Sequence, residues 1–243
     1  RKYGKIELKQ RSCTRRSAGM VNHHVLAMDL LVHFFDELLR CRSDVKRVII
    51  LSPDHYLAGA TTITTNRNAY EVFGKEMKVD EQSVDTLVSS ISSVRFSRSL
   101  FVQEHGVGAL VPFVARVWPK AKIVPIALRS DLDRTTAERV VSWLKEELKD
   151  PQTFLIVSSD ISHYLEEHAA LRNDQETRRA LMAGDEAFFW HADDRHTDNG
   201  KAVWIVLRVL GKERRWEESD HAISTRYGGS PGFTTTYLTG FWR

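Results

Sequence analysis

The chain has 243 residues, of which 42% are hydrophobic and 28% are charged, so it can bury a large core as one big domain or two small ones. Its 35 basic and 32 acidic residues give a net charge of +3, too balanced for nucleic acid to be the main partner, and no apolar run approaches the ~18 residues that a membrane span requires. We expect no signal peptide, and because Cys13 and Cys41 lack paired spacing, we predict neither a disulfide framework nor a cysteine zinc site, which favours the reducing cytoplasm.

In its first half the chain alternates helical and strand patterns. In chain order we predict a helix over residues 25–40, strands over 48–51 and 61–65, and a helix over 80–93. The first strand is a Val-Ile-Ile-Leu run of the kind that a sheet buries on both faces. Pro53 is expected to end it, because proline cannot donate a ladder hydrogen bond. His55 therefore follows a strand end, and the paired His23 and His24 precede the first helix.

The second half continues this alternation. In chain order we predict a helix around Val111, Val114 and Val117, a strand over 121–128, a helix over 135–148, a strand over 154–157, helices over 174–182 and 200–210, and a strand over 234–241. Pro112 is tolerated only in a first helical turn, which places Glu104 and His105 before their helix. Thr135 and Glu138 have the spacing of a capping box. We therefore predict that the whole chain is a single α/β domain with a central mixed, mainly parallel sheet flanked by helices.

Histidines with polar neighbours occur at several strand ends or helix starts. They are His23 or His24, His55, His105 and His163, with Glu104 and Asp160 close by in sequence. In open α/β sheets, ligands bind beyond the carboxyl ends of the strands. Histidine is the commonest neutral metal ligand and carries protons near neutral pH. From the residues alone two hypotheses stay open, a shared His-rich pocket or separate structural and surface histidines.

Five motifs occur in the chain in a definite order. They are Asn22-His23-His24, Leu51-Ser52-Pro53-Asp54-His55-Tyr56, Glu104-His105 followed by Pro112-Phe113, Ser158-Ser159-Asp160-Ile161-Ser162-His163, and a Gly-rich stretch before the last strand. This order covers nearly the whole chain and resembles the Memo family, whose prokaryotic members are named as protein B of the AmmeMemoRadiSam system. The resemblance implies a fold similar to the catalytic subunit of class III extradiol dioxygenases, which hold a non-haem Fe(II) with two histidines and a carboxylate.

By position, the resemblance implies roles for single residues. His23 and His55 match the two histidine ligands of the metal. His163 matches the acid/base of the dioxygenases, and His105 matches a second pocket histidine. Asp160 is expected to hold His163 in the correct tautomer. The implied cofactor is a divalent transition metal, with Fe(II) as the first choice and copper as the second.

The third metal ligand is where the sequence departs from the family. Memo proteins place a cysteine in the segment that reads Thr197-Asp198-Asn199-Gly200-Lys201 in this chain, and Asn199 falls at the cysteine position. A neutral amide is a poor ligand for a transition metal compared with thiolate or carboxylate. Either Asp198 or His196 supplies the third bond, or the metal is weak or absent. The candidate metal-ligand positions are thus His23 and His55 with Asp198 or Asn199. A smaller departure is Asn22, where relatives often have proline.

Two functions are weighed on this basis. The first is a metal-dependent oxidoreductase of the dioxygenase type, in which the metal conducts electrons and orients the reactants. The alternative is a non-catalytic binding or scaffold protein that keeps a degenerate pocket, which the missing cysteine favours. No residue singles out a third function, metal-dependent hydrolysis. The expected partner is a small-molecule substrate or a protein, and the family name implies AMMECR1-like and radical-SAM proteins.

Overall fold

The computed structural model of the protein describes residues 16–243. Its strands are β1 (Ala18–Val21), β2 (Arg47–Pro53), β3 (Ile63–Thr65), β4 (Tyr70–Val72), β5 (Lys75–Met77), β6 (Val94–Phe96), β7 (Lys122–Leu128), β8 (Thr153–Ser158), β9 (Trp216–Ile223) and β10 (Thr236–Trp242). Its α-helices are α1 (Met28–Cys41), α2 (Glu81–Ser90), α3 (Arg98–Gln103), α4 (His105–Gly108), α5 (Val111–Val117), α6 (Arg134–Glu147), α7 (Glu167–Ala183), α8 (Glu186–His191) and α9 (Gly200–Leu210). Short 3-10 helices cover Val25–Ala27 and Ser224–Tyr227.

One mixed sheet organises the domain, with strand order β6-β3-β7-β2-β8-β1-β10-β9. The central strands β7, β2, β8 and β1 are parallel, whereas β3 is antiparallel to β7 and β10 is antiparallel to β1. The register pairs Pro53 with Leu128 and Val21 with Ser158, so the central strands end close together at one edge of the sheet. The predicted single α/β domain with a mixed sheet flanked by helices is confirmed.

Helices cover the sheet and bury its central strands. Every residue of β8 is buried, as its apolar run predicts for a strand that is covered on both faces. Helix α1 buries Leu31, Phe34, Phe35 and Leu38 and packs against α5, whereas α6 packs against α9 and α2. Each such leucine or phenylalanine stabilises the fold by about 1.5–3 kcal/mol relative to an exposed side chain.

The start of helix α6 differs from its prediction, and the short helix α4 was not predicted. Helix α6 is capped by Asp133, whose carboxylate accepts a hydrogen bond from the Thr136 N–H at 2.9 Å, so the predicted capping box of Thr135 and Glu138 is wrong. As expected, Glu104 and His105 precede the helix around Val111, since α5 begins at Val111 with Pro112 in its first turn. His105 is also the first residue of the short α4, which was not predicted. Its N-cap is Glu104, which accepts from the N–H of Gly106 at 2.8 Å.

The C-terminal third contains elements that the patterns did not predict. Helix α7 begins at Glu167, well before the predicted residue 174, because the Glu166 carboxylate caps it. Strand β9 was missed since its residues are nearly all half-buried and mostly polar, without the alternation that marks a strand. Its pairing with β10, a contact between distant segments, is what makes it a strand.

Cys41 ends α1 and takes part in a disulfide bond. This corrects the expectation of no disulfide and removes the support that it gave to a reducing compartment. Cys13 and the start of the chain, on which the signal-peptide expectation depends, lie outside the described residues. Among the helices of residues 16–243, none combines the length and the apolar character needed to cross a membrane.

Candidate metal centre

Loops at the carboxyl edge of the central strands carry the candidate ligands. His23 follows β1, and His55 follows β2. His163 follows β8, and Asp198 lies just before α9. The Nε2 atoms of the three histidines converge on Oδ2 of Asp198. The distances to this oxygen are 3.2 Å for His23, 3.5 Å for His55 and 3.8 Å for His163. Residues far apart in the sequence thus meet because parallel strands end side by side.

Two buried atoms of this cluster have no hydrogen-bond partner among the described residues. They are Nε2 of His23 and Oδ2 of Asp198. The other oxygen of Asp198 is satisfied, since it accepts hydrogen bonds from Ser159 Oγ at 2.8 Å and from the backbone N–H of Asp160 at 3.2 Å. Leaving a buried polar atom without a partner costs about 1–3 kcal/mol. An imidazole nitrogen and a carboxylate oxygen in this state are suited to share a cation.

The hydroxyl of Ser158, which contacts Nδ1 of His23, determines the tautomer of this ring. Its Nδ1 lies 3.0 Å from Oγ of Ser158, and this hydroxyl donates to the carbonyl of Gly106 at 2.6 Å. Because a hydroxyl has a single proton, Ser158 accepts from His23, and the ring proton is on Nδ1. The Nε2 lone pair of His23 therefore faces Asp198.

The buried carboxylate of Glu104 holds His55 in place through two hydrogen bonds. Nδ1 of His55 donates to Oε1 of Glu104 at 2.7 Å, and the backbone N–H of His55 donates to Oε2 at 3.0 Å. A carboxylate behind a histidine is the usual device that orients a metal ligand and raises its basicity. In the sequence Glu104 is only the neighbour of His105. The sequence carries no signal for this contact, because the two residues come from different loops.

His163 is oriented by the backbone. Its Nδ1 lies 2.9 Å from the carbonyl oxygen of Ile161, which can only accept, so the ring proton is on Nδ1. Asp160, which we expected to set this tautomer, instead accepts a hydrogen bond from the backbone N–H of His23 at 3.1 Å. Its other oxygen lies 4.0 Å from Nε2 of His163 and 3.7 Å from Nε2 of His23. Asp160 therefore contributes its charge to the centre without setting the tautomer of His163.

His105 stacks on His55, with ring centroids 4.2 Å apart and an interplanar angle of 21°. Ring nitrogens of His23, His55 and His105 lie within 4.8 Å of one another, so these three residues could share a metal ion. A second group with this property consists of His23, Asp160 and Asp198. The side chain of His105 is 46% exposed and lines the mouth of the adjoining cavity.

The three residues considered for the third metal bond, Asp198, Asn199 and His196, make different contacts. The side-chain nitrogen of Asn199 donates to the backbone carbonyls of Leu51 at 3.2 Å and Ser158 at 2.9 Å. His196 lies 3.1 Å from a carboxylate oxygen of Glu176. Of these candidates, it is Asp198 whose oxygen meets the histidines.

Charges in the centre compensate one another. Burial lowers the pKa of His55, but the carboxylates of Asp198 and Glu104 outweigh burial and raise that pKa to about 10. Burial also lowers the pKa of His23, yet Asp160 and Asp198 raise it above its usual range. Burial raises the pKa of Asp198, whereas His23 and His55 bring it well below its usual range. Imidazoles next to these carboxylates therefore hold positive charge, which is also what a bound cation supplies.

A cavity of about 460 Å³ adjoins the centre, a size that suits a small molecule. Its rim includes Tyr56 and Tyr164, whose exposed fractions are 59% and 61%. Leu57 and Tyr164 have positive φ angles of 49° and 55°. Such angles are uncommon for residues with a side chain and cluster at functional sites.

Comparison with known proteins gives consistent matches to one family. A family model described as "Memo-like protein" matches residues 25–226. A MEMO1 family protein of Caldivirga maquilingensis is 24% identical over 198 residues, which are 79% of this chain and 68% of that protein. Another, from Pyrobaculum aerophilum, is 28% identical over 142 residues, which are 57% of this chain and 50% of that protein. The matches thus span from half to about two thirds of the length of these relatives.

A solved structure is similar in fold. An uncharacterized protein of Escherichia coli K12 superposes with a TM-score of 0.61, and the match covers 93% of this chain and 99% of that one. Because the two sequences are only 13% identical, this likeness concerns the fold alone.

Proposed function

The chain belongs to the Memo-like protein family, and from this premise we propose that it is a metal-dependent oxidoreductase of the dioxygenase type. The observation that carries the proposal is the convergence of three imidazole Nε2 atoms on a buried, unpartnered carboxylate oxygen. In the proposal His23, His55 and Asp198 hold the metal. Two imidazoles and one carboxylate are the ligand set of non-haem Fe(II) oxygenases, and imidazole also suits copper.

When bound, Fe(II) supplies electron transfer and open coordination positions for the reactants. The protein's own contribution begins with orientation. Ser158 and Glu104 keep the ring protons of His23 and His55 on Nδ1, so both Nε2 lone pairs face the same point. The cavity next to this point admits a small molecule and limits the water around it.

His163 is the proposed acid/base. With its proton on Nδ1, its Nε2 is free to accept a proton from a substrate hydroxyl. The carboxylate of Asp160, 4.0 Å from that nitrogen, stabilises the imidazolium that forms. His105 is the proposed second base, since burial and the neighbouring His55 lower its pKa and keep the ring neutral at the cavity mouth.

An anaerobic Fe(II) titration tests the ligand assignment. Wild-type protein is expected to bind one Fe(II) per chain, and His55→Ala is expected to abolish binding. The matched control is His33→Ala, because His33 lies on α1 and pairs with Asp220 instead of the centre. Normal metal retention by His55→Ala would rule out the assignment. The reactive site is tested separately by adding nitric oxide to the Fe(II) protein, which is expected to give the spin-resonance signal of an iron with an open position.

A non-catalytic binding protein is the second candidate, and Asn199 favours it. The amide of Asn199 stands where the family resemblance expects a cysteine, and it is engaged with backbone carbonyls. In this alternative the pocket binds a small molecule or a protein segment without turnover. Metal binding without the nitric oxide signal would favour it over the oxidoreductase.

A further inference from the structure

His24 lines the same cavity as the candidate ligands, but it has no place among them. Its backbone is fixed, since its carbonyl accepts hydrogen bonds from the Asn22 side-chain amide at 3.1 Å and from the N–H of Ala27 at 3.2 Å. Its side chain is exposed. An imidazole on a fixed backbone at the wall of a cavity is suited to contact a ligand.

The ring of His24 is oriented by Tyr237, a fully buried residue of β10. The Tyr237 hydroxyl lies 2.9 Å from Nδ1 of His24. Tyr237 packs with Ala27 and Leu30, so its hydroxyl proton needs an acceptor within the protein. Among the described residues, Nδ1 of His24 is the acceptor within reach. If Nδ1 carried the ring proton instead, the tyrosine proton would be buried without a partner.

Tyr237 keeps that proton at neutral pH. Burial and the charge of Asp160 raise the pKa of its hydroxyl above the usual range. Tyr237 therefore donates and Nδ1 of His24 accepts, which places the ring proton of His24 on Nε2. With Nδ1 turned to Tyr237, the Nε2–H is the polar group of this ring that remains for a ligand.

Four of the five imidazoles at the cavity thus differ in which nitrogen carries the proton of the neutral ring. In their neutral forms, His23, His55 and His163 carry the ring proton on Nδ1 and leave a lone pair on Nε2, which suits a cation or a proton. His24 has the opposite tautomer and presents an Nε2–H donor. A donor at the wall binds the complementary group, which is an oxygen acceptor.

We propose that His24 is a substrate-binding residue, positioned by Tyr237, that donates its Nε2–H to a carboxylate or carbonyl oxygen of the molecule in the cavity. This proposal rests on the proposed function in one respect, namely that the ligand binds in this cavity. It does not depend on a metal. The class of ligand that it selects is a small molecule with an oxygen acceptor beside the part that faces His23 and His55.

Nitrogen-15 NMR of the metal-free full chain tests the tautomer. Long-range proton–nitrogen correlations are expected to show the His24 proton on Nε2 in the wild type. Tyr237→Phe removes the hydroxyl and is expected to release this preference, giving a mixture of tautomers. Tyr227→Phe is the matched control, because the hydroxyl of Tyr227 donates to Asp29 and not to His24. A wild-type His24 with its proton on Nδ1 would overturn the proposal.

Binding of two small probes tests the ligand class. Propionate offers only acceptor oxygens and propylammonium only donors on similar chains. Propionate is expected to shift the His24 Nε2–H resonance and to bind roughly 3- to 10-fold more weakly to His24→Ala and to Tyr237→Phe, whereas propylammonium binding is unchanged. Equal propionate affinity in wild type and His24→Ala would refute the proposal. Failure of the Fe(II) titration alone would overturn the metal assignment and leave this inference intact.

Discussion

A cluster of charged residues lies at each end of β2, and the two clusters differ in whether their polar atoms have hydrogen-bond partners. At the amino end, Arg47 donates to Asp80 at 2.8 Å, pairs with Glu147 at 3.1 Å and donates to Thr153 Oγ1 at 3.2 Å. At the carboxyl end, just past the strand, His55 joins the candidate metal centre. There the charges face one another, yet Nε2 of His23 and Oδ2 of Asp198 have no hydrogen-bond partner within residues 16–243.

The difference separates a structural cluster from a candidate binding site. The Arg47 cluster is complete, since its guanidinium supplies the donors that the carboxylates need. In the candidate metal centre the charges of imidazoles and carboxylates compensate, but among the described residues two buried atoms that face each other have no hydrogen-bond partner. Both lie on the same strand, so burial and charge content alone do not mark a functional site. What distinguishes the carboxyl end is that a buried imidazole nitrogen and a buried carboxylate oxygen without hydrogen-bond partners among the described residues face each other beside a cavity.

Removing one carboxylate from each end gives the largest expected contrast. Asp198→Asn is expected to weaken Fe(II) binding by at least about 100-fold, because it replaces the charged ligand with an amide. Asp80→Asn is expected to leave Fe(II) affinity unchanged and to lower the free energy of unfolding by about 1–3 kcal/mol, because Arg47 loses a partner. Calorimetric titration and urea unfolding measure the two effects. Similar metal affinities for both variants would contradict the proposed difference between the two ends of β2.

Removing the charge of Glu104, which orients His55, is expected to have the next largest effect on Fe(II) affinity. Glu104→Gln keeps the shape of the side chain but removes the charge that orients His55, and we expect Fe(II) affinity to fall about 10- to 100-fold. Glu147→Gln at the opposite end is the matched control and is expected to keep the wild-type affinity. The same titration measures both variants. A loss of affinity in both would point to a general loss of fold.

Changing the pH is expected to alter metal affinity by up to about tenfold per unit for each proton displaced. The pKa of His55 is raised from 6.5 to about 10, so in metal-free protein this ring holds a proton that the metal must displace. Fe(II) affinity is therefore expected to rise with pH in this window. A raised pKa in the folded state stabilises the metal-free protein below about 6.5, and this contribution is lost as pH rises toward 10.

Unfolding measurements on metal-free protein between pH 6 and pH 10 check the sign, within roughly the window that these pKa values define. The difference between wild type and His55→Gln isolates this one group from the lysines and tyrosines that titrate at the upper end. The wild type should lose its advantage as pH rises. A difference that stays constant or grows with pH would contradict the raised pKa.

Asn199→Ala is expected to have the smallest effect on metal affinity, within about threefold, because the side-chain nitrogen of Asn199 donates to the backbone. Two buried carbonyls, of Leu51 and Ser158, lose a donor, so stability is expected to fall by about 1–3 kcal/mol. Metal titration and urea unfolding check the two parts. A loss of metal binding at full stability would instead make Asn199 a ligand, which was one of the hypotheses from sequence.

Much of the fold was accessible from local patterns. The buried run at 48–51 and the run at 154–157 predicted the centre of the sheet, because apolar residues in short unbroken runs fit strands covered on both faces. The motif order likewise indicated the family that the comparison confirms. Strand β9 was not predicted, since its polar, half-buried residues become a strand only through pairing with β10.

The candidate site was accessible in part. Histidines after strand ends could be expected to meet, because parallel strands end at one edge of a sheet. Which atom of each ring faces the site could not be predicted. The tautomers of His23 and His163 depend on a hydroxyl and a carbonyl behind the rings, and these partners have no signature in sequence.

The sequence by itself determined which chemistry this protein can present, since it sets the order of His23, His55, His163 and Asp198 along the chain. Only the tertiary structure decided which of these groups are satisfied and which are left to bind. The physical reason is that a hydrogen bond requires a partner within about 3 Å and in line, and such partners come from loops that only the folded sheet brings together.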